Sequence, residues 1–164
     1  MRLDDLVGYL DDYLRIREVA DERNALNGLQ VENAGQVGRI AAAVDACQAT
    51  IDAAAEHGAD LLLVHHGLFW GGIEPLTGRA YRRAAALLRY GIAVYACHIP
   101  LDRHPEVGNN AVLARKLGMD VRGWFGDYLG APIGVWGELD LPREALRDAL
   151  GGVLGTPAQL VPAG

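Results

Sequence analysis

The stretch ADLLLVHH, residues 59–66, decides the fold, because it is an apolar run that ends in two adjacent histidines. Its length and its content of leucine and valine favour a buried β-strand. Neighbouring side chains on a regular strand point to opposite faces. At the last residues of a strand, with Gly67 allowing a sharp turn, His65 and His66 can still serve one site.

Strand and helix patterns alternate on both sides of this stretch. The predicted strands are residues 27–33, 39–46, 59–66 and 92–98, and the small apolar residues of 39–46 indicate a buried strand. The predicted helices are residues 1–16, 47–58, 80–91 and 109–118, the last with Asn109 as N-cap. This alternation predicts βαβ units and an α/β fold with a largely parallel sheet. Sites in such sheets form beyond the carboxyl ends of the strands, where His65, His66 and His98 all fall.

The end of the chain differs in character. Residues 128–141 indicate β structure with turns, and 142–155 indicate a helix with Pro142 in its first turn. Residues 156–164 begin as a strand and then stop. Because a terminal strand needs a neighbour, we expect one domain over residues 1–164 that is incomplete at its C-terminus.

The composition of the chain indicates which kinds of partner and which cellular location to expect. The chain has 164 residues and a formal net charge of −6, which argues against a nucleic-acid-binding surface. Its longest apolar runs are too short to cross a bilayer. Two cysteines, Cys47 and Cys97, form no CxxC pair, and residues 1–15 do not resemble a secretory leader. We therefore expect a cytoplasmic protein that does not bind a membrane.

The polar residues at the strand ends suit a metal site. His98 ends the strand 92–98, and Asp102 follows on a predicted loop because Pro100 disfavours helix at Ile99. Imidazole and carboxylate ligands without thiolates suit Zn, Fe, Mn, Co or Ni. Two arrangements are possible. Either His65 and His66 bind one metal ion together, or they diverge and bind two metal ions that Asp102 bridges.

Several other residues have plainer interpretations. His57 is expected to be structural, at the end of a helix. His104 is expected to be exposed or to contact a substrate. Phe69 and Trp70 are expected to pack a loop or to form a wall for a ring-shaped substrate. Asp45 is expected to be a surface or capping residue, with support of a metal ligand as the alternative.

Three segments resemble a known family. NGLQVE (27–32), HHGLFW (65–70) and HIPLDRHPEVGNNA (98–111) resemble the signature segments of the NIF-three-like dinuclear-metal proteins, often named GTP cyclohydrolase 1 type 2 homologues. The resemblance implies a mostly parallel or mixed sheet flanked by helices, up to two divalent metal ions per chain, and a toroidal homohexamer. It also implies that His65 and His66 are metal ligands, that Asp102 bridges the metals, and that His98 lies beside them as ligand or base.

The chain departs from the family pattern near its C-terminus. Family members supply a further histidine and glutamate there, four residues apart, whereas the only histidine after Asp102 in this chain is His104. A fragment, a natural short form and a site completed by a partner chain would each explain the difference.

Three functions are compatible with these residues. The first is a metal-dependent hydrolase, of cyclohydrolase or phosphoesterase type, that acts on a small molecule and uses His98 or His104 to move protons. The second is a non-catalytic protein that binds or handles metal. The third is a truncated structural or interaction domain that has lost full metal binding.

Overall fold

The computed structural model describes residues 1–72 and 74–162. The chain divides into two compact units, Met1–Leu101 and Asp102–Gly164. The helices are α1 Leu3–Tyr13, α2 Gln48–Glu56, α3 Gly78–Tyr90, α4 Ile99–Asp102, α5 Asn109–Lys116 and α6 Arg143–Leu154. The strands are β1 Gly28–Val31, β2 Ile40–Asp45, β3 Leu61–His66, β4 Ala93–Ala96, β5 Asp120–Tyr128 and β6 Ala131–Glu138. The predicted α/β class is confirmed, while the prediction of a single domain stays a prediction.

The first unit is built on a mixed four-stranded sheet in the order β1-β4-β3-β2. Strands β2, β3 and β4 are parallel, and β1 runs antiparallel to β4. The parallel register pairs Val64 with Ala96 and Asp45 with His66, so the carboxyl ends of the three strands lie at one edge.

The central strands are apolar throughout because helices cover both faces of the sheet. Leu62 and Val64 pack in one buried cluster with Ile51 of α2 and Leu87 of α3. Leu61, on the other face of β3, packs in a second buried cluster that includes residues of α1. The alternation along β3 therefore divides one continuous apolar run between two cores.

Strand β2 differs from its prediction. Residues 39–46 were expected to be buried, but β2 is an edge strand, and Val44 is 62% exposed. Small apolar residues indicate a strand without indicating whether a neighbour covers both of its sides.

The second unit contains an antiparallel pair, β5 and β6, against which α5 packs. Strand β5 was not predicted, because Gly123, Gly126 and charged residues interrupt its alternation of apolar and polar positions. Helix α6 confirms the helix expected over 142–155, although Pro142 is its N-cap rather than its first residue. The strand expected from residue 156 does not form through residue 162, and residues 163–164 lie outside the described part.

Two local predictions around the connection 97–110 are wrong. Asp102 was expected on a loop, but it ends the short helix α4, in which Pro100 is the second residue. Proline is tolerated in a first helical turn because no intrahelical partner exists there for its missing N–H. Gly108, not Asn109, is the N-cap of α5. No helix in the described residues is long and apolar enough to span a membrane.

Candidate metal centre

Three histidines converge at the carboxyl edge of the first unit's sheet. His65 and His66 end β3, and His98 follows β4 by two residues. One ring nitrogen from each can be chosen so that all three atoms lie within 4.8 Å of one another. The ring centroids of His65 and His66 are 4.7 Å apart, so these adjacent side chains do face one site at the strand end.

Each of these imidazoles is oriented through its Nδ1 atom. His65 Nδ1 lies 3.0 Å from the carbonyl oxygen of Cys97. His66 Nδ1 lies 2.7 Å from Asp45 Oδ1. His98 Nδ1 lies 2.8 Å from Asp21 Oδ1. Carbonyl and carboxylate oxygens accept hydrogen bonds, so each Nδ1 is the donor, and Nε2 is then the nitrogen that can offer a lone pair.

Asp21 anchors His98 through a buried network. Its second oxygen accepts hydrogen bonds from Asn27 Nδ2 at 2.8 Å and from the backbone N–H of Ile99 at 2.9 Å. Asn27 also accepts a hydrogen bond from the backbone N–H of His98. Burial opposes the ionised form of Asp21, but hydrogen bonds from Asn27, His98 and Ile99 outweigh it and lower the pKa of the carboxyl. Asp21 therefore presents an ionised acceptor to His98.

Trp70 forms one wall of the cluster. Its ring meets His98 edge-on with centroids 4.6 Å apart, and it meets His66 edge-on at 5.6 Å. The sequence is compatible with Trp70 either packing a loop or forming the wall of a site, and the structure places it against two of the three imidazoles.

The turn after His66 depends on a close approach between Gly67 and Gln30. A Cβ atom on Gly67 would lie 2.6 Å from Gln30 Cδ and closer still to the amide atoms. The Gln30 amide accepts a hydrogen bond from Leu68 N and donates to Ala25 O and Leu26 O. Glycine at this position leaves the space that the Gln30 amide occupies, and its backbone is not in the left-handed conformation that a sharp glycine turn would use.

Asp102 and His104, the other predicted site residues, belong to the second unit. Asp102 Oδ1 accepts a hydrogen bond from Asn109 Nδ2 at 2.8 Å. His104 is only 7% exposed, so the expectation of an exposed side chain is wrong. Its Nδ1 accepts backbone N–H groups of Glu106 and Val107, each at 3.2 Å, and thus stabilises the local turn. The predicted roles of Asp102 in metal binding and of His104 in proton transfer stay predictions.

The two carboxylates that orient the cluster were underrated or missed. Asp45 was expected first to be a surface or capping residue, yet it is the cross-strand partner of His66. Its position at the end of β2, parallel to β3, was a usable signal. Asp21 was missed because it lies outside the helices and strands, where no pattern indicates what it contacts.

The cluster's donor set fits a divalent transition metal. Imidazole suits Zn, Fe, Ni and Cu, and metal-binding histidines characteristically donate their other N–H to a carboxylate or carbonyl. All three imidazoles of this cluster have such a partner. The fold and the cluster together define an α/β protein with a histidine site, able to hold a metal, at the carboxyl ends of parallel strands.

Comparison with known proteins places the chain within one family. The sequence model of the family Duf34/NIF3 (NGG1p interacting factor 3) matches residues 1–159, and the chain belongs to this family. The GTP cyclohydrolase 1 type 2 homolog of Treponema pallidum is 53% identical over 134 residues, which cover 81% of this chain and 47% of that protein. The protein of the same name from Halobacterium salinarum is 48% identical, over 98% of this chain and 64% of the relative. The resemblance stated from the sequence is thereby confirmed.

Solved structures agree with this assignment. The protein TTHA1606 from Thermus thermophilus superposes with a TM-score of 0.85 at 44% identity, over 95% of this chain and 62% of that one. The protein ybgI, described as of unknown function, has a TM-score of 0.83 at 39% identity, over 94% of this chain and 61% of its own. The chain thus spans about half to two thirds of the length of the relatives that it matches.

Proposed function

We propose that this protein binds divalent metal ions at the histidine cluster and acts as a metal-dependent hydrolase. The observation that supports the proposal is the convergence of three imidazoles, each held by a hydrogen-bond acceptor at Nδ1. A purely structural histidine needs no such shared arrangement, whereas a metal ligand must present one nitrogen in a fixed direction.

Each residue has a distinct role in this proposal. His65 and His66 hold metal through Nε2, and Asp102 supplies the carboxylate that lets up to two ions bind. The metal, drawn from Zn, Fe, Mn, Co and Ni, supplies Lewis acidity that activates water and polarises the substrate when bound. His98, oriented by Asp21, carries the proton to or from the reacting group. His104 is the second proposed proton carrier, and it would have to use Nε2 because its Nδ1 accepts two backbone N–H groups.

Turnover by a His98 variant tests this assignment. We expect the wild-type chain, loaded with Zn²⁺ or Mn²⁺, to hydrolyse GTP or p-nitrophenyl phosphate. His98→Ala should retain metal and lose about 10²–10⁴-fold in rate. His57→Ala is the matched control, since His57 is the exposed C-cap of α2. Equal turnover in wild type and His98→Ala would contradict the role of His98, and loss of metal in His98→Ala would make His98 a ligand.

Metal handling without catalysis is the second candidate function. The side chain of His66 is 40% exposed and that of its partner Asp45 is 59% exposed, so this part of the cluster is open to solvent. An open site favours exchange of metal with a partner or a chelator. Metal that exchanges within minutes, with no turnover of either substrate, would support this function over hydrolysis.

The proposal also covers the location, the assembly and the partners of the protein. We propose a cytoplasmic homohexamer that acts on a small molecule and binds neither nucleic acid nor membrane. Analytical ultracentrifugation tests the assembly directly. A sedimenting mass of six chains is expected, and a monomer at micromolar concentration would contradict it.

A further inference from the structure

The first unit has a cavity lined in part by His66, and a second cavity that shares lining residues with the first. The first, called the arginine pocket, has a volume of about 270 Å³ and is lined by residues that include His66, Trp70, Glu74, Arg79 and Arg83. The second, called the apolar pocket, has a volume of about 370 Å³ and is lined by residues that include Val31, Leu68, Phe69, Leu76, Ala84 and Leu88. Leu68, Glu74 and Arg83 line both cavities, so the two pockets meet at Arg83.

Arg83 uses only part of the hydrogen-bonding capacity of its guanidinium group. Its side chain is only 16% exposed, and it forms a long ion pair with Glu74, with 3.8 Å between Nη2 and Oε1. Nη1 donates to Ala46 O at 3.3 Å, and the buried Nε has no hydrogen-bond partner among the described residues. A guanidinium offers five N–H donors, and a charge removed from water is costly unless it is paired. Arg83 therefore leaves room for an anion.

Trp70, which also lines the arginine pocket, has an unpaired donor of its own in the described part of the structure. Its Nε1 is buried and finds no acceptor within the described chain. Indole and guanidinium nitrogens donate hydrogen bonds and never accept them, so the group that both residues lack is an acceptor. Arg79 adds a second guanidinium to the lining, while Asp45 is already bonded to His66. The arginine pocket is therefore suited to a negatively charged group.

We propose that the two pockets together bind a small amphipathic organic anion. Its carboxylate or phosphoryl headgroup lies against Arg83 and Arg79, and its apolar body fills the apolar pocket. This inference rests on the proposed function in one respect only. An anion bound in the pocket would lie beside His66, and it would therefore be positioned as a substrate of the proposed metal site. Binding itself requires only the arginines and the apolar wall.

Calorimetric titration of metal-free protein tests the proposal. The probes are 4-phenylbutyrate, benzylphosphonate and the neutral analogue 4-phenylbutanamide, titrated in the presence of a chelator. We expect one or both anions to bind and the amide to bind roughly tenfold more weakly or not at all. The tighter of the two anions identifies the headgroup.

Substitutions on α3 test whether the arginines of the pocket bind the anion or whether any nearby positive charge is sufficient. Arg83→Gln and Arg79→Gln should each weaken binding of the anion about tenfold. Arg82→Gln is the matched control, because Arg82 is an exposed neighbour that lines neither pocket. Glu74→Gln should tighten binding several-fold, since Glu74 competes for Arg83, and an unfolded variant cannot mimic this gain.

Equal affinity in Arg83→Gln and wild type would overturn the proposal, as would absence of anion binding in both wild type and Glu74→Gln. These titrations are made without metal, so a failure to bind the anion does not bear on whether the protein binds metal. Conversely, a protein that holds no metal could still bind the anion. The two proposals can therefore be rejected independently of each other.

Discussion

At the scale of single residues, the groups bonded to Nδ1 of the histidines decide how the imidazoles are oriented. Asp45 and Asp21 each bind the Nδ1 atom of one imidazole, at 2.7 and 2.8 Å. Such outer partners fix the ring orientation and raise the basicity of the other nitrogen. The imidazoles of His66 and His98 are therefore held in the orientation that a metal ligand requires.

Asp45→Asn tests this preparation. The asparagine side chain can still contact His66 but carries no charge, so we expect metal affinity to fall about 10- to 100-fold. Competition with a chelator of known affinity measures the change. Asp12→Asn, an exposed substitution on α1, should leave metal affinity as in wild type. Equal affinity in Asp45→Asn and wild type would show that the carboxylate does not support the ligand.

The sequence was informative for the histidines and uninformative for Asp21. His65, His66 and His98 could be predicted to meet because each lies at the end of a predicted parallel strand. Asp21 lies in irregular structure, and its contact with His98 joins residues 77 positions apart. No local propensity encodes a contact of that kind, so only the folded chain reveals it.

At the scale of elements, the turn between β3 and the following loop depends on Gln30. Gly67→Ala would push the new methyl group into the Gln30 amide and disturb its three hydrogen bonds. We expect a loss of about 1–3 kcal/mol in the free energy of unfolding, measured with urea. Gly71→Ala is the control, since a Cβ at Gly71 meets no atom within 4 Å.

A double substitution makes this prediction specific. Gln30→Ala opens the space that the new methyl group needs, so Gly67→Ala should cost less in that background than in wild type. Strictly additive costs would show that the close approach is not the cause.

The start of β3 carries a pH-sensitive contact. Asp60 Oδ2 accepts the backbone N–H groups of Gly38 and Arg39, at 2.8 and 2.9 Å. These bonds lower the pKa of Asp60 below its ordinary value. A lowered pKa in the folded state stabilises the fold above about pH 4, and this stabilisation is lost as the pH falls through the folded-state value.

In Asp60→Asn, the free energy of unfolding should therefore fall less steeply as the pH is lowered than it does in wild type. Urea unfolding between pH 3 and pH 7 should show wild type losing more stability than Asp60→Asn over this range, because only wild type carries the lowered pKa. Asp52→Asn, on α2, serves as the control and should follow wild type. Parallel curves for wild type and Asp60→Asn would contradict the prediction.

The sequence predicted the helices and strands of the first unit more accurately than those of the second. Strands β3 and β4 are runs of apolar residues buried on both faces, and such runs are visible in any sequence. Strand β5 is mostly exposed and interrupted by glycine, so its pairing with β6 creates a strand that its own residues do not indicate. Helix α4 escaped prediction because proline is acceptable at the start of a helix and unfavourable elsewhere.

At the scale of the whole molecule, the number of ligands that the chain supplies limits the number of metal ions that it can hold. The three histidines of the cluster lie in the unit Met1–Leu101. The chain spans about half to two thirds of its relatives' length, and the resemblance implies further ligands in a segment without a counterpart here. The number of ions that this chain holds by itself therefore decides whether the histidine cluster is a metal site.

The most direct test is metal stoichiometry of the 164-residue chain by elemental mass spectrometry, with His65→Ala and His57→Ala beside it. We expect one or two divalent ions per chain in wild type and in His57→Ala, and loss of metal in His65→Ala. If the wild-type protein holds no metal after purification in metal-supplemented buffer, or if His65→Ala holds as much metal as wild type, the histidine cluster is not a metal site.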